Sequence, residues 1–147
     1  AFDAMAQQAA RSGGQRPFTP RQIAAGRTYA ALVERHASVG IKGRSIETGS
    51  GRGGSAAGGI MDLILDEGRV IAAMQDAIGD GWALAVLRAS KRKRRPLTVR
   101  ELVDRVCLQG ETISAVLEGC GWSVYGETVA CAREALAGAL DRMASRV

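Results

Sequence analysis

The residues of this chain most able to do chemistry form a basic run, residues 91–95, that ends at Pro96. Guanidinium and ammonium groups neutralise phosphates, and this neutralisation supplies most of the nonspecific affinity of a protein for DNA. The basic run therefore predicts an arm that contacts the DNA backbone. A solvated loop, or contact with RNA or an acidic protein, is the alternative. The predicted phosphate contacts are Arg88, Lys91, Arg92, Lys93, Arg94, Arg95 and Arg100.

A second group of polar residues has the chemistry to contact DNA bases. Three helix-sized segments follow the basic run, and a short helix, a glycine-containing turn and a longer helix are the order found in a helix-turn-helix. In that motif the first turn of the last helix lies in the major groove, where side chains contact base edges. The predicted base contacts are Ser123, Tyr125, Thr128 and Arg133.

Local signals predict where these three helices begin. Thr98 opens a capping box, Thr-Val-Arg-Glu, and predicts the first helix. Apolar residues at helical spacing predict a second helix that begins at Glu111 or Thr112. Ser123 is placed to cap the third helix, which is the longest. Together these signals predict a helix-turn-helix over residues 98–145.

The charge of the chain is divided unequally. Residues 98–147 carry 5 basic and 7 acidic side chains, a net charge of −2, whereas residues 1–97 carry 15 and 8, a net charge of +7. The first turn of the predicted third helix also offers few base-reading side chains, and Glu127 would repel phosphates. We therefore expect affinity to come from the basic run and any sequence specificity from the third helix.

Composition predicts an all-α fold, a compact helical bundle of about five to six helices. The chain has 147 residues, 46% of them hydrophobic and only 4% aromatic, with little β-branched alternation. We expect a flexible N-terminal segment, residues 1–15, followed by a single helical DNA-binding domain, residues 16–147. No signal peptide or membrane-spanning run is evident, which predicts a cytoplasmic protein with no membrane partner.

The N-terminal two-thirds has helix signals of its own. The capping box at Thr19 predicts a helix that runs to about His36 and ends at Gly40. A glycine-rich loop is expected over residues 40–59, because such a sequence buries too little apolar surface to offset its ordering entropy. Apolar spacing then predicts a core helix over residues 60–78, and a short apolar helix over residues 82–87 with Trp82 in the core.

Catalytic and metal-binding patterns are lacking in the sequence. Cys107, Cys120 and Cys131 do not pair in a Cys-x-x-Cys motif, so we expect them to be buried core cysteines rather than zinc ligands. His36 is expected to favour a helix C-terminal dipole. A glycine-rich match to the dinucleotide fingerprint at residues 49–54 has no preceding strand. We therefore predict a protein that is not an enzyme and has no cofactor.

Several segments resemble helix-turn-helix transcriptional activators of alphaproteobacterial prophages and gene transfer agents. The resemblance covers most of the chain and is carried by residues 16–22, 78–81, 102–103, 121–122 and 135–143. It implies a DNA-binding regulator of phage-like genes that binds double-stranded promoter DNA and contacts the host RNA polymerase.

The last part of the chain also resembles region 4 of sigma factors. That region has a threonine-led helix, a Gly-x-Ser turn and a Thr-Val start of the recognition helix, which correspond here to Thr112, residues 121–123 and residues 128–129. This second resemblance again implies DNA and RNA polymerase as partners.

Two further functions remain open at the level of sequence. In the first, the chain is a protein-interaction module, and its C-terminal helix and the Trp82 segment form a homodimer or contact RNA polymerase. In the second, it is a packaging protein of the small-terminase type, which also joins a helix-turn-helix to oligomerising helices.

Overall fold

The computed structural model of the chain describes residues 1–46, 56–86 and 93–146. These residues form an all-α fold with six helices and one two-stranded sheet, which confirms the predicted fold class. None of the helices in these ranges contains an apolar stretch of the length that a bilayer-spanning segment needs. The elements are α1 (Phe2–Arg11), α2 (Pro20–Ile46), α3 (Ala56–Ile78), β1 (Trp82–Leu84), β2 (Leu97–Thr98), α4 (Val99–Cys107), α5 (Ile113–Gly119) and α6 (Glu127–Ala144).

Helix α6 lies at the centre of the fold. It contacts α2, α3, α4, α5 and β1. Leu136, Leu140 and Met143 recur along one face of α6 and are fully buried. Their spacing of four and three residues places them on one side of the helix, and the elements that contact α6 cover that side.

The predicted start of α2 is confirmed in both halves of its capping box. The Gln22 amide donates to Thr19 Oγ1 at 3.2 Å, and the Thr19 amide donates to Gln22 Oε1 at 2.9 Å. The Gln22 side chain also donates through Nε2 to Asp141 Oδ2, at 3.1 Å. One side chain therefore both caps α2 and ties it to α6.

The N-terminal segment, predicted to be flexible, instead contains α1. Phe2 and Met5 are buried in the core, and the Phe2 ring packs edge-on against Phe18 with 5.6 Å between centroids. Arg27 of α2 forms an ion pair with Asp3 at 3.0 Å. The prediction was wrong because the alanine-rich sequence has high helix propensity, and two apolar side chains three residues apart are enough to dock one turn.

The predicted glycine-rich loop, residues 40–59, is helical at both ends. Helix α2 continues past Gly40 to Ile46, and α3 begins at Ala56; residues 47–55 lie outside the described residues. A glycine costs only about 1 kcal/mol relative to alanine inside a helix, which a long helix can tolerate. His36 consequently lies within α2 rather than near its end, and it faces Gly68 of α3.

The apolar segment after α3, predicted to be a short helix, is a β-strand. Trp82 pairs with Thr98 and Leu84 with Leu97 in an antiparallel arrangement whose register is irregular between the two pairs. Trp82 is 59% exposed, which contradicts its predicted place in the core, whereas Leu84 is buried. A segment this short gains little from nucleating a helix, and pairing with β2 satisfies its backbone groups instead.

The three C-terminal helices begin partly where the sequence predicted. The hydroxyls of Thr98 and Thr112 accept from the amides of Glu101 and Ala115, at 3.1 and 3.3 Å, and cap α4 and α5. Helix α6, however, does not begin at Ser123. Its N-cap is Gly126, with φ 61° and ψ −128°, a conformation that a helix cannot contain.

The three cysteines lie in different environments. Cys120 is buried, Cys107 is half-buried and Cys131 is exposed, so the prediction of a core position was wrong for Cys131. Cys131 projects from the outer face of α6, one residue before the fully buried Ala132. Among the described residues, no three His, Cys, Asp or Glu side chains are grouped so that they could hold a metal ion.

Candidate nucleic-acid interface

The described part of the basic run, residues 93–95, lies against the loop that joins α5 to α6. This loop, residues 120–126, is called the α5–α6 loop below. The Arg95 amide donates to the Cys120 carbonyl at 2.9 Å, and the Trp122 indole Nε1 donates to the Arg95 carbonyl at 2.7 Å. Two hydrogen bonds to the backbone of Arg95 fix residues 93–95 beside the loop.

A glycine makes this close approach possible. Gly121 has φ 75°, and a Cβ atom at this position would collide with the carbonyl group of Lys93. Only glycine is both free of steric strain at this φ and small enough to let the two chain segments touch. The sequence predicted a glycine-containing turn before the longer helix, but it did not show which segment would approach this turn.

Two cations of the basic run remain available to a ligand. The Arg94 guanidinium carbon lies 5.3 Å from the centroid of the Trp122 ring, a distance at which a cation–π interaction orients the side chain. Lys93 and Arg94 are both exposed, and neither has a carboxylate partner among the described residues. Their positive charges therefore face solvent next to the α5–α6 loop.

Other predicted phosphate contacts are already paired with carboxylates of α4. Arg95 donates to Glu101 through both terminal nitrogens, one of them at 3.0 Å, and these bonds raise the pKa of the Arg95 guanidinium. Arg100 Nε donates to Asp104 Oδ2 at 2.9 Å. Both cations are therefore less available to phosphate. Arg88, Lys91 and Arg92 lie outside the described residues.

Arg105 holds α4 and α5 together, a role the sequence did not reveal. It donates through Nε to Glu111 Oε2 at 3.0 Å and lies 3.8 Å from the Glu101 carboxylate. Its Nη1 is 3.5 Å from the sulfur of buried Cys120. This partly buried network fixes the relative position of the two helices that precede the α5–α6 loop.

The predicted base contacts fall into two groups. Tyr125 is 82% exposed and Arg133 is exposed, and both line a groove between α1 and the α5–α6 loop. Ser123 and Thr128 are half-buried and do not line this groove. Because α6 begins at Glu127, Tyr125 belongs to the loop and Arg133 lies in the second turn of the helix.

The α5–α6 loop therefore has two different neighbours. Through Trp122 it contacts the basic run, and through Tyr125 it borders the groove beside α1. Comparison of the chain with protein-family models, with curated proteins and with solved structures found no match.

Proposed function

We propose that this protein is a DNA-binding transcriptional regulator of phage-like genes, such as those of gene transfer agents. In this proposal α4, α5 and α6 form a helix-turn-helix, and the basic run contacts the phosphates of promoter DNA. The attachment of residues 93–95 to the α5–α6 loop supports it most directly. That attachment places unpaired cations beside the segment proposed to enter the major groove.

The basic run and the start of α6 have different roles in this proposal, because their side chains differ in chemistry. Lys93 and Arg94 provide unpaired positive charge, which contributes affinity without regard to sequence. Tyr125 and Thr128, in the loop and the first turn of α6, provide hydroxyl groups that can donate to or accept from base edges. Glu127 in that first turn accepts only, so a cytosine amine is the base group that suits it. We therefore expect few sequence-specific contacts and a large contribution of charge to the DNA affinity.

Fluorescence anisotropy on a labelled promoter fragment tests the proposal. We expect binding that persists against excess unrelated DNA and weakens steeply between about 50 and about 200 mM salt, because counterions are released from each neutralised phosphate. The double variant Lys93→Ala/Arg94→Ala should reduce the salt slope by about 2, close to one for each lost contact.

A charge-matched control isolates the effect of position. Arg69→Ala/Arg146→Ala removes the same charge at exposed sites on α3 and after α6, and it should leave the slope unchanged. Equal slopes for the two double variants would contradict the role of the basic run. Failure of the wild-type chain to bind any DNA would reject the proposed function itself.

One observation favours a protein-interaction module as a second candidate. Trp82 in β1 is 59% exposed and Val86 beyond it is 41% exposed, and exposed aromatic residues are enriched where proteins meet. RNA polymerase or a second copy of the chain would be the partner. If this candidate is right, Trp82→Ala will leave promoter binding intact but abolish activation in a purified transcription assay. Light scattering on the same variant will report whether self-association is lost instead.

A further inference from the structure

The groove between α1 and the α5–α6 loop has a positively charged end. The main groove has a volume of about 530 Å³, and a second depression of about 400 Å³ adjoins it. Both are lined by Ser12, Gln15 and Arg133, and Arg16 lines the second one. Hydroxyl, amide and guanidinium groups, all common contacts of DNA phosphates, thus meet at this end.

The two arginines of this end have no ion-pair partner among the described residues, whereas six other arginines have one. Neither Arg16 nor Arg133 has a carboxylate within 4.0 Å among the described residues, and both are exposed. The carboxylate of Glu118 lines the main groove but not the depression that holds Arg16. Within residues 1–46, 56–86 and 93–146, the arginines with an ion pair are Arg27, Arg35, Arg69, Arg95, Arg100 and Arg105.

The position of Arg133 along α6 argues against contact with bases. It lies six residues after Glu127, the first residue of the helix, which corresponds to about 9 Å along the axis at about 1.5 Å per residue. Base edges are usually contacted by the first turn of a recognition helix. Arg133 instead shares its depression with Arg16, at the end of the segment that follows α1.

We infer that Arg16 and Arg133 form a second phosphate anchor, at the α1 side of the α5–α6 loop, for the same DNA duplex that Lys93 and Arg94 contact. This inference rests on the proposed function. Phosphate contacts fix the register and orientation of a protein on its duplex, and the second anchor adds to the contacts made by Lys93 and Arg94. Arginine suits this role because its planar guanidinium can bind two phosphate oxygens at once.

Helix α1 gains a function from this arrangement. Phe2 and Met5 of α1 are buried in the core, and so is Phe18, two residues after Arg16. Arg16 is therefore held between two fixed points rather than at the end of a loose tail. Preorganisation of this kind reduces the entropy lost when the side chain binds a phosphate.

The test measures promoter binding by Arg16→Ala/Arg133→Ala in the full chain. We expect the salt slope to fall by about 2 and the affinities for promoter and unrelated DNA to fall by the same factor, because phosphate contacts carry no sequence information. Arg16→Lys/Arg133→Lys should restore most of the slope, since the charge returns. The control is Arg69→Ala/Arg146→Ala, which removes equal charge away from the groove.

Each outcome separates this inference from the proposed function. A wild-type slope in Arg16→Ala/Arg133→Ala, together with a reduced slope in Lys93→Ala/Arg94→Ala, overturns the second anchor and leaves the proposed function standing. A loss of promoter preference alone would make Arg133 a base contact and would also overturn the anchor. The anchor is also overturned if Arg16→Ala/Arg133→Ala binds DNA as the wild type does but no longer binds a fluorescent poly-glutamate peptide. In that case the groove is a site for acidic protein.

Discussion

Gly121 allows residues 93–95 to approach the α5–α6 loop closely. The effect of this close approach can be separated from that of the positive φ by comparison with Gly110. Gly121 and Gly110 both have positive φ, 75° and 72°. A Cβ on Gly121 would collide with the Lys93 carbonyl, whereas a Cβ on Gly110 would meet nothing within 4 Å. An alanine at either position would therefore suffer the same backbone strain, but only the alanine at Gly121 would also collide with Lys93.

We predict that Gly110→Ala lowers the free energy of unfolding by about 1–2 kcal/mol, the usual cost of a left-handed alanine, and leaves DNA affinity unchanged. Gly121→Ala should cost more and should also weaken DNA binding, because the basic run is displaced from the loop. Urea denaturation and anisotropy on both variants check this. Equal effects of the two substitutions would show that contact with Lys93 contributes nothing.

Tyr29 illustrates a buried polar contact that stabilises the fold. Its side chain is fully buried, and its hydroxyl donates to Asp104 Oδ1 at 2.8 Å, so that α2 is tied to α4. Tyr29→Phe should lower the free energy of unfolding by about 2 kcal/mol, since a hydrogen bond to a charged group is lost. Tyr125→Phe is the matched control: its ring is 82% exposed, and denaturation should be unchanged within error. A Tyr29→Phe variant as stable as wild type would contradict this account.

At the scale of elements, α6 caps the end of α3. Arg142 donates through Nε to the Ala77 carbonyl at 2.8 Å and through Nη2 to the Ile78 carbonyl at 3.1 Å. Carbonyls at a helix C-terminus are unsatisfied within the helix, and they carry the negative end of its dipole. An arginine from another helix therefore satisfies two of them at once.

Arg142→Ala should lower the melting temperature and cost about 1 kcal/mol, a modest value because water can reach these carbonyls. Arg142→Lys should recover part of the loss, since it retains the charge but not the forked donor. Arg146→Ala removes an exposed arginine near the same end of the chain and should have little effect. If Arg146→Ala and Arg142→Ala destabilise equally, the cap is not the cause.

Elements whose signals are local could be predicted from the sequence. The caps at Thr19 and Thr98 depend on hydrogen bonds between residues three apart, and both were predicted. A helix start at Glu111 or Thr112 was also predicted, and Thr112 caps α5. Predictions were wrong where a segment distant in the sequence determines the local structure. Residues 82–84 become a strand only because residues 97–98 pair with them, and Glu101, predicted to complete its own capping box, instead accepts from Arg95.

At the scale of the whole molecule, the sequence identified the residues of the candidate interface better than their arrangement. Lys93 and Arg94 were predicted from charge alone, and the structure leaves both exposed. Charge cannot reveal, however, that Arg95 and Arg100 would be paired with carboxylates. The docking of α1 on the rest of the fold could not be predicted either, because it depends on a complementary surface built from α2 and the core.

Two weakly acidic side chains, the buried Tyr29 and the half-buried Cys107, make the stability of the whole molecule sensitive to alkaline pH. Burial, with a smaller contribution from the Asp104 charge, raises the pKa of Cys107 to about 12 from an ordinary value of 9.0. Burial likewise raises the pKa of Tyr29 above its ordinary value of 10.0. The folded chain thus keeps protons that the unfolded chain releases, so these two groups add no pH dependence to stability below about pH 9 and lower it as the pH rises toward 12.

Each retained proton adds a slope of at most about 1.4 kcal/mol per pH unit. Urea denaturation at a series of pH values from 7 to 10 should therefore show a decline that begins near pH 9. Cys107→Ala should delay the decline to about pH 10, the ordinary pKa of tyrosine, at which the unfolded chain begins to release the Tyr29 proton. The variant is less stable overall because a core-adjacent side chain is truncated. Cys131→Ala, at an exposed thiol, should keep the wild-type profile. An unaltered profile in Cys107→Ala would mean that the folded protein does not retain this proton.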